Sequence, residues 1–298
     1  MLKVANSRKI YNLQLFEIHL IIDTRSTEQY EASHVYSAVS LPSSVSDHFG
    51  ISEALSFLCE YEKEYGTPSK LNPVILYGNS QKDAFLNTVA STLQELLTKP
   101  SLASSVSLTP DQQRWAGQFI RKTKEIWILD GGFAAMQQRY PFMITPDNID
   151  TPFPLEVQER LFWGSRTFQV TDLHLSRMSI THVILDTQTF DRSEFSIPIT
   201  IFQASVAKEE ETVLRMAADF IEETLEQPES ILLVNLYGRS TSAAILIAYM
   251  ILKQQFTFVQ AYETIIGFHA HLDQSQMCIR TLKNLANSRN ITEGPQNN

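Results

Sequence analysis

Cysteine is nearly absent from this chain: Cys59 and Cys278 are the whole supply in 298 residues. Two cysteines cannot build a disulfide framework or a cysteine-rich zinc site. Chemistry that needs a thiolate is confined to those two positions. Basic residues are also in deficit, 24 against 33 acidic, for a formal net charge of -9. The field of such a chain repels nucleic acid and anionic membrane, so no nucleic-acid partner is expected. Long apolar runs are missing too. The longest, residues 243–252, falls short of the roughly 20 residues a membrane helix needs, so no membrane insertion is expected. The first residues show no apolar stretch leading to a small-residue cleavage site. A secretory signal is therefore not expected, the compartment reads as reduced and cytoplasmic, and the sequon at Asn290 should stay unmodified.

What the chain does have is core-forming material. Hydrophobic residues make up 43% and aromatics 10%, which excludes a disordered chain. At roughly 100–200 residues per domain, the length suggests two domains. Pro141, Pro146, Pro152 and Pro154 crowd into one short stretch, and proline disfavours both helix interior and central strand there. The expected layout is a first domain over residues 1–141, a linker over 142–153, a second domain over 154–286, and a mobile tail over 287–298 that is poor in apolar residues. No internal repeat is visible.

Both halves alternate short apolar runs with amphipathic stretches. Residues 19–23, 73–77 and 125–129 in the first half, and 181–185 and 230–234 in the second, read as strands buried on both faces of a parallel sheet. Residues 83–97, 212–225, 242–252 and 258–268 carry the apolar spacing of helices. The fold class is α/β, with a helix-flanked parallel sheet in each domain.

Asp23-Thr-Arg25, Glu28, Tyr30, the run from His34 to Ala38, the run from Leu129 to Phe133, and Pro141 together resemble the motifs of the rhodanese family, in order and spacing, over about residues 10–142. Asp23 and Arg25 at a strand end can form a charge-assisted pair, and Gly131-Gly132 allows a tight strand-to-helix turn. The resemblance implies a cysteine directly after the third strand and an arginine closing the loop. Gly78 and Asp83 stand at those two positions, and glycine has no side chain to carry sulfur. The implied reading is an inactive rhodanese-like domain.

The second half resembles the dual-specificity phosphatases. The resemblance rests on Leu161 to Ser165, on Ile180 to Leu185, and on the stretch from Ile231 to Met250. That last stretch is similar to the family's phosphate loop, a strand, a glycine-containing turn and a helix N-terminus that cradle an anion. In the family a cysteine attacks phosphorus, an arginine six residues on binds the phosphate oxygens, and a separate aspartate protonates the leaving group. Aligned on Gly238, this chain has Asn235 at the cysteine and Thr241 at the arginine; no aspartate follows Ile197-Pro198-Ile199 before Lys208. The pairing of both domains resembles the serine/threonine/tyrosine-interacting-like pseudophosphatases.

The reading of the residues is therefore that the chain is not an enzyme. It is expected to use no cofactor and no metal, and to have no catalytic residue. It would act as a catalytically inactive interaction or scaffold module, or as a structural subunit of a larger assembly, with a cytoskeletal or ciliary one among the candidates. The expected partners are proteins: a phosphoprotein, a kinase or a multi-subunit assembly. The alternative is a phosphopeptide-binding module whose anion cradle comprises Asn235, Gly238, Arg239, Ser240, Thr241 and Ser242. A third reading, an active phosphatase with Ser240 or Thr241 as nucleophile, lacks a neighbouring base. His269 and His271 read as surface histidines at a helix end, and Lys208 to Thr212 as a solvated helix start. The cluster from Arg121 to Lys124 lies away from residues 39–50, where the kinase-directed relatives implied by the resemblance carry their docking cluster; here that region has no lysine or arginine.

Overall fold

The branched and aromatic runs form the strands, and the apolar stripes between them form the helices that cover those strands. A computed structural model describes residues 1–14, 19–41, 49–65, 70–144, 153–164, 171–185, 195–204, 210–234, 241–268 and 278–292. The chain divides into two units, Met1–Thr151 and Pro152–Asn298, each built on one five-stranded sheet.

The first unit runs β1 (Leu2–Ala5), α1 (Ser7–Gln14), β2 (His19–Asp23), α2 (Thr27–Ala32), β3 (Ala38–Ser40), α3 (Ile51–Tyr65), β4 (Lys70–Tyr77), α4 (Ala84–Thr98), α5 (Leu102–Ser105), α6 (Pro110–Lys122), β5 (Ile126–Leu129) and α7 (Gly132–Arg139). Its strands lie in the order β1-β5-β4-β2-β3, all parallel. Leu20, Ile22, Val74, Leu76, Ile126 and Ile128 meet α3, α4 and α6 through Leu55, Leu58, Leu86, Val89, Trp115 and Phe119 in one buried cluster. Burial of these side chains, about 1.5–3 kcal/mol each, holds the layers together.

The second unit runs β6 (Leu155–Gln158), β7 (Leu161–Trp163), α8 (Asp172–Arg177), β8 (Ile180–Leu185), β9 (Thr200–Gln203), α9 (Glu210–Glu226), β10 (Ser230–Val234), α10 (Thr241–Leu252), α11 (Phe258–Phe268) and α12 (Ile279–Thr292). The strand order is β6-β7-β10-β8-β9. The sheet is not wholly parallel: β6 runs antiparallel to β7, because only Glu159 and Arg160 separate them, enough for a hairpin and too few for a crossover. α10 is buried along nearly its whole length and packs against α9, α11 and α12. That accounts for the all-round apolar run noted in the sequence.

Two expected boundaries are corrected. The linker does not begin at residue 142: Pro141–Met143 form a 3-10 turn with Phe142 and Met143 buried, and Ile144 bridges to Val35. Proline fits the first position of such a turn, and the two apolar side chains that follow dock on the first domain. Nor does the tail leave the fold at residue 287. α12 continues to Thr292, anchored by fully buried Leu282 and Leu285. Residues 293–298 lie outside the described residues.

Candidate functional site

In the first domain the residues matched to the rhodanese motif are knitted into one structural network. Asp23 ends β2 and is fully buried. Arg25 reaches back to it, with Nη2 2.6 Å from Asp23 Oδ2 and Nε donating to Oδ1 at 3.0 Å. The same guanidinium donates to the Ser33 carbonyl at 2.6 Å and lies 3.6 Å from the Phe133 ring centroid. Tyr30 donates to the Ala38 carbonyl at 2.9 Å, and the His34 ring stacks on Tyr30 with centroids 4.2 Å apart. Tyr77 accepts from the Val35 N–H at 3.1 Å. Burial, with the nearby charge and hydrogen bond of Asp23, pushes its phenol well above the usual range.

The loop that follows β4 is closed by its own side chains. Gly78 accepts the Phe133 N–H at 2.9 Å. Asn79 pairs with Gln29 at 3.2 Å, and Gln81 with Asp130. Asp83 caps α4 by accepting from Phe85 and Leu86 N–H at 3.0 and 3.3 Å, a role suited to a carboxylate at a helix start. A Cβ at Gly78 would meet Thr24 Oγ1 at 3.0 Å and Asp83 Oδ2 at 3.1 Å. At Gly132, whose φ is +63, a Cβ would lie 2.7 Å from the carbonyl oxygens of Gly78 and Asn79. The paired glycines therefore serve both a left-handed turn and a close backbone approach. Gln29 and Gln81, which bridge to Asn79 and Asp130, carry no motif signal in the sequence.

In the second domain β10 is buried at every position and sits between β7 and β8. It leads through residues 235–240 to α10. Asn235, Gly238, Arg239 and Ser240 lie outside the described residues; Thr241 and Ser242 begin α10 with 6% and 2% exposure. The Ser242 hydroxyl accepts from Trp163 Nε1 at 2.9 Å, tying the start of α10 to β7. Arg160 holds the opposite end of the frame. It donates to the Leu225 carbonyl at 2.7 Å, to Glu229 at 3.0 Å, and to Gln227, where α9 ends and its carbonyls lack helical partners. The Arg160 carbonyl accepts the Ile231 N–H at 2.9 Å, so one residue fixes both the end of α9 and the entry to β10. Trp163 lies within a stretch that carries the resemblance, and Arg160, at φ 63° in the turn between β6 and β7, carries no signal in the sequence.

The remaining candidates fall elsewhere. Ser196, before the Ile197-Pro198-Ile199 segment, donates its N–H to the Asp172 carboxylate at 3.1 Å, and Ile199 is buried. Cys59 is buried in α3, and Cys278 is half-buried ahead of α12. Arg121 and Lys122 form the last turn of α6, where cations favour the helix dipole; Arg121 donates back to the Gly117 carbonyl at 3.1 Å. His269, His271 and Lys208 lie outside the described residues. Among the described residues, no group of three or more His, Cys, Asp or Glu could hold a metal ion, and no helix is long and apolar enough to cross a membrane.

Residues 9–139 match the Rhodanese-like domain family. The chain is 30% identical over 146 residues to Dual specificity protein phosphatase PHS1 of Arabidopsis thaliana. That alignment covers 46% of this chain and 15% of the relative, so the chain spans about one seventh of that protein's length. Human DUSP28 is similar at 16% identity and a TM-score of 0.41, over 46% of this chain and 97% of that one. The human tyrosine phosphatase-like serine/threonine/tyrosine-interacting protein is similar at 16% identity and a TM-score of 0.35, over 46% of this chain and 95% of that one. Scores this low carry no weight for function.

The match to the plant protein corrects one expectation. Replacement of three conventional side chains leads to the expectation of no enzyme, yet the curated relative is a dual specificity phosphatase. The relatives are enzymes of the phosphatase type. Replacement of one set of side chains speaks to one covalent route only, and residues 235–240 lie outside the described residues.

Proposed function

We propose that this chain is a protein-interaction module built on a phosphatase-type fold, whose second domain recognises a phosphorylated segment of a partner protein through residues 235–242. The observation that carries this reading is the anchored start of α10, where Trp163 Nε1 donates to the Ser242 hydroxyl at 2.9 Å. The first turn of a helix offers main-chain N–H groups without intrahelical partners at the positive end of the dipole. A buried strand leading into such a turn suits a phosphate. Arg239 supplies the cation of that stretch, and a guanidinium pairs well with phosphate oxygens.

The test is fluorescence anisotropy of the full chain against labelled phosphotyrosine and phosphothreonine peptides and their unphosphorylated forms. Binding should depend on the phosphate and weaken roughly tenfold in Arg239→Ala, with a larger loss in Thr241→Asp, which sets a like charge against the ligand. Equal affinity for phosphorylated and unphosphorylated peptides overturns the proposal. Phosphate release from the same peptides, in the parent chain and in Asn235→Ala, reads separately the activity of the relatives' class.

A further inference from the structure

Among the described residues, β1 is the outermost strand of the first sheet and pairs on one side only, with β5. The ladder decides which of its main-chain groups face outward. Ile126 donates to the Met1 carbonyl at 3.1 Å, and Asp130 to the Ala5 carbonyl at 2.8 Å. Residues 1, 3 and 5 thus turn their polar groups toward β5, and the alternate residues Leu2 and Val4 turn theirs away. The side chains of Leu2 and Val4 extend the apolar face of the sheet, level with Ile126 and Ile128, which belong to the main core. Here that face is uncovered: Leu2 is 41% and Val4 61% exposed. The other face of the strand is basic. Lys3 pairs with Glu125, and the Lys9 ammonium sits 4.2 Å over the Trp127 ring. Residues 1–16 hold Lys3, Arg8 and Lys9 and no acidic residue, in a chain of net charge -9.

We propose that the outer edge of β1 takes up an extended segment of a partner protein as a sixth strand, with apolar residues beside Leu2 and Val4 and an acidic residue beside Lys3. A lysine alone would suit an edge guarded against association; two exposed apolar neighbours on the other face do not. Strand addition satisfies the outward N–H and C=O groups of Leu2 and Val4. It also covers their side chains with cross-strand neighbours and gives Lys3 a second carboxylate. A second copy of this chain fits less well, because the two-fold pairing that matches Leu2 with Val4 sets Lys3 against its own counterpart.

The probe is the end-blocked peptide Ser-Val-Glu-Val-Glu-Val-Ser, titrated into the full chain and followed by amide NMR. The expected result is perturbation centred on the Leu2 and Val4 amides, with affinity roughly tenfold above that of the peptide carrying Lys for both Glu. Lys3→Glu should reverse the preference between the two peptides. Val4→Pro removes one outward N–H, a change tolerated at a sheet edge, and should abolish binding while the β5 amides keep their positions. Equal affinity for the two peptides overturns the proposal, as does perturbation confined to other elements or none at millimolar peptide. Concentration-dependent dimerisation that Val4→Pro abolishes would also overturn it, in favour of a second copy on this edge.

Discussion

Arg25→Met tests whether the buried pair in the first domain is held by mutual neutralisation. The Asp23 side chain is 0% exposed and that of Arg25 3%. The substitution keeps an unbranched apolar stem and removes the Nη2 bond at 2.6 Å and both Nε bonds at 3.0 and 3.1 Å. It also removes the donor to the Ser33 carbonyl and the cation over Phe133. The main-chain N–H of residue 25, 2.9 Å from Oδ1, remains for the carboxylate, together with the Tyr77 phenol. Breaking a buried pair in this way costs about 3–5 kcal/mol, because a charge is left without compensation. That is a large share of the roughly 5–15 kcal/mol that holds a domain folded. Asp23→Leu should cost a similar amount. The double variant, which buries neither charge, should cost less than either single one. Hydrogen exchange with mass spectrometry on the full chain is the appropriate readout, since two domains need not unfold together. Peptides from β2 and β4 should exchange about two to three-and-a-half decades faster in Arg25→Met, with β10 peptides unchanged as an internal reference. A single-variant effect under about tenfold would refute the reasoning, and so would costs that simply add in the double variant.

Gly132→Ala should destabilise the first domain by about 2–4 kcal/mol, a left-handed penalty plus overlap with the Gly78 and Asn79 carbonyls; a thermal melt of that domain within a degree or two of the parent would contradict this. Arg160→Ala removes the donors at the end of α9 and should cost about 1.5–3 kcal/mol, seen as faster exchange in the last turn of α9 and in β10. The phenols of buried Tyr77 and half-buried Tyr30, both raised by burial and by the Asp23 charge, stay protonated in the fold after the unfolded chain has begun to release its protons. Their contribution is intact below the unfolded value near 10 and is lost as pH rises through the folded values. Stability should therefore fall above about pH 10, and more gently in Tyr77→Phe; an alkaline limb identical in that variant would exclude the assignment.

The parts legible in the sequence are those where one kind of force dominates. Strands β2 and β10 are buried on both faces, so their apolar runs give the limits directly, and the stripe of α11 does the same for a helix packed on one side. The elements that escaped notice depend on neighbours. β1 alternates a lysine with apolar residues and is a strand only because β5 offers it a parallel edge. The end of α12 has a polar, loop-like composition in residues 286–292 and persists because Leu282 and Leu285 anchor the helix ahead of it. The surrounding prolines predict a linker at Phe142 and Met143. Their burial outweighs that signal, since proline forbids a helix interior and leaves a 3-10 turn open.

The connections that follow β4 and β10 differ in the charge of their residues, and the difference bears on where a phosphate would be recognised. After β4, the side chains are turned inward on the protein. Asn79 is held by Gln29, Gln81 by Asp130, and Asp83 by the amides that open α4. An acidic cap takes up the N–H groups that an incoming anion would need, and its charge opposes that anion. At the start of α10, Ser242 accepts from Trp163, and the sequence from Asn235 to Thr241 carries no acidic residue and holds Arg239. The Thr241 hydroxyl, in a residue 6% exposed, makes no hydrogen bond among the described residues. The lack of an acidic residue over 235–241 and the presence of Arg239 support proposing phosphate recognition there and not in the first domain.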